Sequence, residues 1–509
     1  MPVSIEVLRT LQNGSDIRGV AVSQGDTPAN LTVQAVGQLA FAFAKLASEL
    51  CGKQPSALRI GIGYDSRLTA HTMRDAAARG LTFAGAAVYD CKLASTPAMF
   101  MSTVFEQTSF DAAIMVTASH LPANRNGMKF FTRCGGLDKA AITKLIENAA
   151  RVDVPEDAVF SLIPSNLMSH YAEHLRNNII QGVRMGERPL VGLRIAVDAG
   201  NGAGGFFVSE VLQPLGADTT GSRYLDPDGT FPNHVPNPEN VEALEAARQA
   251  TVENKADLGL IFDTDVDRMA AVLPNGRLAA RDCAIALMAA VLSSECPGAT
   301  IVTDSVTSNL LTEFLQDELG LVHRRFKRGY NNIINEAKRL EANGIRVPMA
   351  IETSGHCALR ENYFLDDGAY MAVKIIVAAA RVRFVGGTLG SLIAKFRVGC
   401  EGCEARIPIL GDNPGGYAAE VLKEFEARAK KTGIVVVPGF EGVRLRFFGD
   451  VQGWLLLRMS LHDPLMPLNA EGERPGDGQI IIDCAKELLQ GFDRLNLSVL
   501  DACVHPLTD

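Results

Sequence analysis

Three separated segments of this chain share one pattern. "LRIGIGYDSR" (residues 58–67), "LRIAVDAGNG" (193–202) and "TIVTDSVTSN" (300–309) are short β-branched or apolar runs that end at Asp65, Asp198 and Asp304, with small or polar residues after them. Short continuous apolar runs mark strands buried on both faces. Helical patterns such as "TAHTMRDAAARGLTFAGA" follow, and each leads to another apolar run. Alternation of strand, helix and strand requires crossover connections and yields parallel or mixed α/β sheets, whose functional loops lie at the strands' carboxyl ends. A chain of 509 residues is too long for one core, so the pattern predicts three similar α/β domains.

Past about residue 395 the pattern changes. "GYAAEVLKEFEARAK" (416–430) reads as an amphipathic helix, "GIVVVPG", "GVRLRFFGD" and "GWLLLRMS" as strands joined by turns, and a last helix is predicted over about 478–494. This is a smaller antiparallel α+β domain. The expected division is 1–160, 161–281, 282–395 and 396–509.

Charge and cysteine content narrow the function. The 49 Lys and Arg against 58 Asp and Glu give a net charge of −9, which offers a nucleic-acid backbone no general attraction. The ten cysteines are scattered rather than packed into a disulfide framework, which fits a reducing compartment. Cys400 and Cys403 form a CxxC without a second pair nearby, so no zinc centre is expected there. The first residues, MPVSIEVLRTLQNG, lack a basic stretch followed by an apolar one, and no apolar run reaches about 18 residues. A cytoplasmic protein without a membrane span is expected, so the N-x-S/T triplets at Asn13, Asn30 and Asn496 carry no meaning.

"DLGLIFDTDVDRMAAV" (257–272) has the strongest local signal for chemistry. A buried strand over 258–262 is predicted to deliver Asp263, Asp265 and Asp267, then Arg268. Three carboxylates so close together repel one another, and a divalent cation removes that repulsion. All-oxygen donors favour Mg²⁺, which shares itself with a substrate phosphate. An EF-hand is excluded because position six of such a loop would be Arg268 and position twelve Pro274.

Two reactions can use this loop. In one, Asp263 is the nucleophile, as in haloacid-dehalogenase-type phosphotransferases, whose remaining parts would be Thr303 or Ser305, Lys327, and the pair Asp366 and Asp367. In the other, the Asp cluster only holds Mg²⁺ and the phosphate carrier is the hydroxyl of Ser119. That serine stands in "VTASHLPANRNGMKFF" (116–131), where an apolar stretch gives way to a turn-rich one.

"TASHLPANRNGMKFF", "FDTDVDR" and "IETSGH" (351–356) together resemble the serine, metal and sugar loops of the α-D-phosphohexomutase superfamily, in particular its phosphoglucomutase/phosphomannomutase group, in the same order and at similar separations. "SDIRG" (15–19), "GYDSR" (63–67), "STP" (95–97), "DAGNGAGG" (198–205) and "DPDGTFPNHVPNP" (226–238) are further matches, spread from about residue 12 to 500. The resemblance implies a four-domain enzyme around a central cleft. By the same implication it would interconvert hexose 1-phosphate and hexose 6-phosphate of glucose or mannose, with hexose 1,6-bisphosphate as intermediate and activator. Ser119 would be phosphorylated and would join Asp263, Asp265 and Asp267 in holding Mg²⁺. His120, Lys129 and Arg18 would serve the transfer; Glu352, Ser354, His356, Arg268, Arg458 and Ser460 would bind the substrate. The expected partner is a small phosphosugar, with neither nucleic acid nor membrane, and a monomer or dimer is expected.

The match has departures. The fourth-domain phosphate loop reads "RMSLHDP" (458–464), with Leu461 in place of a small residue and His462 in place of a threonine. Thr264 and Val266 replace glycines of the metal loop, and Asn331 stands near where many relatives have a lysine, which Lys327 or Arg328 would replace. These changes keep a catalytically weak phosphosugar-binding relative as an alternative. "HYAEH" (170–174) matches the HxxEH of some zinc peptidases but has no third ligand, and is expected to be a solvated helix face.

Overall fold

The computed structural model describes residues 2–25, 27–460 and 463–507; Leu461 and His462, the departures in the phosphate loop, lie outside the described residues. The chain packs into two compact units. One holds the chain up to Ala280 together with Ser354–Leu389, and the other holds Arg281–Thr353 and the chain from Gly390 onward.

In the first unit the "LRIGIGYDSR" run forms the strand Arg59–Tyr64, which lies parallel to Ala87–Leu93 on one side and to Ala112–Val116 on the other. The next neighbour, Arg125–Thr132, runs antiparallel to Ala112–Val116, and Asp16–Val20 is antiparallel to it in turn, so the sheet is mixed. The helix Val33–Cys51 starts where Thr32 accepts a hydrogen bond from the Ala35 amide and ends at Gly52, whose φ of 63° suits a residue without Cβ. It packs on Ala70–Phe83 so closely that a Cβ on Gly80 would lie 2.1 Å from the carbonyl oxygen of Gly37. The expected helix after "GYDSR" is this Ala70–Phe83 segment.

A second mixed sheet has the order Leu278–Ala279, Met269–Val272, Leu258–Phe262, Ile195–Asp198. Its central strand Leu258–Phe262 is buried along its whole length, as its unbroken apolar run requires, and is parallel to Ile195–Asp198 and antiparallel to Met269–Val272. Asp367 caps the helix Gly368–Phe384 by accepting from the Tyr370 amide, and this helix packs along Leu167–Val183.

In the second unit Thr300–Thr303 lies parallel to both Val322–Arg325 and Met349–Ile351. The C-terminal part is a six-stranded sheet whose pairings are all antiparallel, with the helices Pro414–Lys431 and Asp477–Leu488 contributing Phe425 and Ile481 to its core. The last helix stops at Leu488, short of 494, and the chain turns through Gly491 at φ 88°. Cys403 forms a disulfide with Cys503, so the cysteine bonded in the CxxC segment is paired across the sheet rather than with Cys400. The sequence pattern carries no sign of this link, because its halves are 100 residues apart.

Candidate active site

The buried strand Ala112–Val116 delivers the serine loop. Thr117 donates its hydroxyl to Asp65 Oδ2 at 2.7 Å and accepts the amide of Ser119 at 2.9 Å. Ser119 is buried and has φ 52°, a left-handed conformation that costs a side-chain-bearing residue roughly 1–3 kcal/mol and persists only where neighbours hold it. In this pose its Oγ donates to Asp263 Oδ2 at 3.1 Å and lies 3.2 Å from His120 Nδ1. Burial, together with the cations Arg268 and Arg18, pushes the His120 imidazole down to about 2, so it is neutral at physiological pH.

Antiparallel pairing sets Lys129 opposite Met115, and its buried ammonium reaches the carboxylate loop. Nζ is 2.9 Å from Asp265 Oδ2 and also contacts Asp267 Oδ2. Asp263, Asp265 and Asp267 are all buried, and each offers an oxygen within 4.8 Å of the others. Burial first, then the charges of Asp267 and Asp265, push the Asp263 carboxyl well above the usual range. Burial acts on Asp267 too, but Lys129, His356 and Arg268 outweigh it and hold that carboxylate below the usual range. Val266 occupies φ 66°, a conformation native to the glycine it replaces in the resemblance, and the carbonyl of Val266 accepts the amide of Gly368. Thr96 of the "STP" segment grips the loop twice, donating its amide to the Asp265 carbonyl at 2.8 Å and its hydroxyl to Asp265 Oδ2 at 2.5 Å.

These residues fit a hard divalent cation. The donor set is all oxygen, and Asp265 Oδ1 and Asp267 Oδ1 are buried without a hydrogen-bond partner, leaving lone pairs available to a cation.

An isolated bridge between Arg268 and His356 joins the carboxylate loop to the end of "IETSGH". His356 Nδ1 lies against Asp366 Oδ2 and 3.9 Å from Asp267 Oδ1. Arg18, on Asp16–Val20, pairs with Asp16 at 2.9 Å and is one of the cations facing His120. Ser354 is buried. The first unit thus gathers Ser119, His120, Lys129, the three Asp, Arg268 and His356, while Glu352, Arg458 and Ser460 belong to the second. There Glu352 accepts the amide of Gly329 at 2.6 Å, the Arg458 amide bonds to the Pro467 carbonyl, and the Ser460 amide to that of Leu465. The helix carrying "HYAEH" is not a plain solvated face, because His174 packs among the rings of Phe105 and Tyr370. Sequence reasoning assigned no role to Asp65, Arg67, Thr96 or Thr117, although "GYDSR", "STP" and "TASHLPANRNGMKFF" marked all three of their segments.

Known proteins are similar to this chain over the segments that carry these residues. The family descriptions "Phosphoglucomutase/phosphomannomutase, alpha/beta/alpha domain I", domain II and domain III match residues 9–154, 169–276 and 281–396. The probable phosphoglucosamine mutase of Methanosarcina barkeri is 30% identical over 437 residues, covering 84% of this chain and 90% of the relative. The chain belongs to the phosphoglucomutase/phosphomannomutase family. The phosphoglucomutase of Neisseria gonorrhoeae is 28% identical over 469 residues, 92% of this chain and 94% of that one. Among solved structures, a phosphoglucomutase/phosphomannomutase family protein from Burkholderia thailandensis superposes with a TM-score of 0.77 at 25% identity, covering 96% of this chain and 98% of its own. Membership makes the chain an intramolecular phosphotransferase, built as three α/β/α domains with mixed sheets and a fourth, antiparallel one.

Proposed function

We propose that this mutase interconverts hexose 1-phosphate and hexose 6-phosphate, of glucose or mannose, with Ser119 as the phosphate carrier. The observation that carries the reading is the bond from Ser119 Oγ to Asp263, which places the hydroxyl against the carboxylate set that Lys129 also enters. In the forward half-reaction the free sugar hydroxyl attacks phosphorus and loses its proton, the Oγ–P bond breaks, and Oγ takes a proton. The bound hexose 1,6-bisphosphate then turns over: Ser119 Oγ loses its proton and attacks the other phosphate, the sugar O–P bond breaks and the sugar oxygen takes a proton, so hexose 1,6-bisphosphate also primes the resting enzyme. Lys129, already fixed among the carboxylates, and His356, fixed by Asp366, are the groups that move these protons. His120, neutral beside Oγ, and Arg18 shape the phosphate's surroundings. Asp263, Asp265 and Asp267, with the seryl phosphate, would hold Mg²⁺, which would supply positive charge to the transferring group.

Arg268, Glu352, Ser354 and His356 are read as contacts to the sugar, and Arg458 and Ser460 as the grip on its second phosphate. The division into serine-loop (1–160), metal-loop (161–281), sugar-loop (282–395) and phosphate-loop (396–509) segments belongs to the same reading. A cytoplasmic location goes with it, supported by eight of the ten cysteines lying outside the one disulfide, Cys403–Cys503. Among the described residues no helix is long and apolar enough to cross a membrane.

A phosphosite map after brief incubation with Mg²⁺ and glucose 1,6-bisphosphate, with borohydride trapping of acyl phosphates, tests the reading. Phosphate on Ser119 is expected. A reduced Asp263 would transfer the nucleophile's role to the aspartate. The altered "RMSLHDP" loop favours one second reading, a phosphosugar-binding relative without turnover, and absence of label on either residue would select it.

A further inference from the structure

Arg67 has a side chain with no solvent exposure, and a buried guanidinium is costly unless its donors are satisfied. Its terminal nitrogens reach a single segment. Nη1 donates to the carbonyls of Pro122 at 2.8 Å and Arg125 at 2.9 Å, and Nη2 to those of Leu121 at 2.6 Å and of Ser119 itself. Nε faces Asp65 Oδ2 at 3.3 Å. Asp65 accepts from Thr117, whose hydroxyl in turn holds the amide of Ser119, so one buried ion pair fixes both peptide groups flanking the Ser119 Cα. The motif "DPDGTFPNHVPNP" closes the other side. The Phe231 ring lies 5.4 Å from the guanidinium carbon, and a Cβ on Gly229 would be 2.5 Å from Leu68 N.

We propose that Arg67, anchored by Asp65 and covered by Phe231, is a positioning residue for phosphoryl transfer, holding Ser119 in the left-handed conformation that aims Oγ at Asp263. The proposal rests on the reading of Ser119 as phosphate carrier. Ser119 has no hydrogen-bonded helix or ladder partner to enforce φ 52°, and four carbonyl acceptors on one planar fork supply that constraint. A lysine carries its donors on one atom and cannot serve four carbonyls spread from Ser119 to Arg125. The loss expected is therefore in alignment rather than in substrate binding, and misplacing a nucleophile by about 1 Å costs about a hundredfold in rate.

The test compares wild type, Arg67→Lys and Phe231→Leu in kcat and KM for glucose 1-phosphate, in phosphate occupancy of Ser119, and in hydrogen exchange of the 117–121 amides. For Arg67→Lys, kcat should fall about a hundredfold with KM within about twofold, and exchange should quicken in this loop alone. Phe231→Leu keeps the four bonds and removes only the cover, so it should show the same kcat-only pattern at about three- to tenfold. It carries the test should Arg67→Lys fail to fold. Unchanged kcat in a folded variant, or a loss that appears in KM, overturns the proposal alone. A wild type that takes no phosphate on Ser119 overturns the functional reading and the proposal with it.

Discussion

The hydroxyl of Ser119 donates to Oδ2 of Asp263 at 3.1 Å, so the serine of one α/β sheet and the first carboxylate of the next are direct partners. The two rival nucleophiles of the sequence reading are therefore in contact, and substitution separates them. Ser119→Ala should abolish labelling by glucose 1,6-bisphosphate and lower turnover by more than about 10³-fold. Asp263→Asn retains an acceptor for the hydroxyl but removes a charged donor to the cation. It should keep Ser119 as the labelled residue while weakening the response to Mg²⁺. Label that survives Ser119→Ala and vanishes in Asp263→Asn would reverse the assignment.

Gly202 of "DAGNGAGG" lies against the carboxylate loop, where a Cβ would come 2.6 Å from the Thr264 carbonyl oxygen and 2.8 Å from its Cα. Backbone cannot yield to such contacts as a flexible side chain would. Gly202→Ala should displace the loop that carries Asp263 and Asp265 and cost about 1–3 kcal/mol in stability. The Mg²⁺ concentration for half-maximal activity should rise about tenfold, equivalent to about 1.4 kcal/mol. A magnesium titration of activity alongside a thermal melt checks both, and an unchanged midpoint would show that the loop absorbs the methyl group.

Glu471 is buried opposite Trp454 in the C-terminal sheet, and burial, with the charge of Asp282, pushes its carboxyl from 4.5 to about 8 against the pull of Arg444. The native state therefore keeps a proton that the unfolded chain releases. This stabilisation is complete below pH about 4.5 and is lost as pH rises through about 8. Glu471→Gln carries no such proton, so its melting temperature should fall less than that of wild type between those limits, by an amount worth at most a few kcal/mol. Calorimetry at several pH values measures the difference, and fluorescence of Trp454, the sole tryptophan, follows the same region. Parallel pH profiles for the two proteins would exclude Glu471 as the source.

The Cys403–Cys503 disulfide spans a sequence separation of 100, which in the chain-entropy account is worth about 4–5 kcal/mol. Cys503→Ser and treatment with dithiothreitol should lower the melting temperature equally, and the reductant should have no further effect on the variant. An intact mass under non-reducing, denaturing conditions that shows every thiol free, with no response to reductant, would mean that the bond does not form in solution.

Much of the architecture was legible because it is written in local periodicity. The apolar run of Leu258–Phe262 became a strand with the boundaries its sequence suggested, and "GYAAEVLKEFEARAK" lies within the helix Pro414–Lys431. The alternate spacing of Asp263, Asp265 and Asp267 likewise announced a carboxylate cluster before any fold was known. The last helix was read too long because apolar residues continue past Leu488, while the positive φ of Gly491 turns the chain.

The sequence by itself determined the element types, the alternation that makes mixed α/β sheets, and the residue kinds available for phosphoryl transfer, since hydrophobic period and motif spacing are properties of neighbours along the chain. Only the tertiary structure decided that Lys129 enters the carboxylates, that His356 rests on Asp366, and that Arg67 reaches the carbonyl of Ser119. Those partners are separated by 136, 10 and 52 positions. A buried charge is satisfied by whatever the strand order and register bring beside it, and in a sheet with crossover connections that neighbour is set by packing rather than by position along the chain.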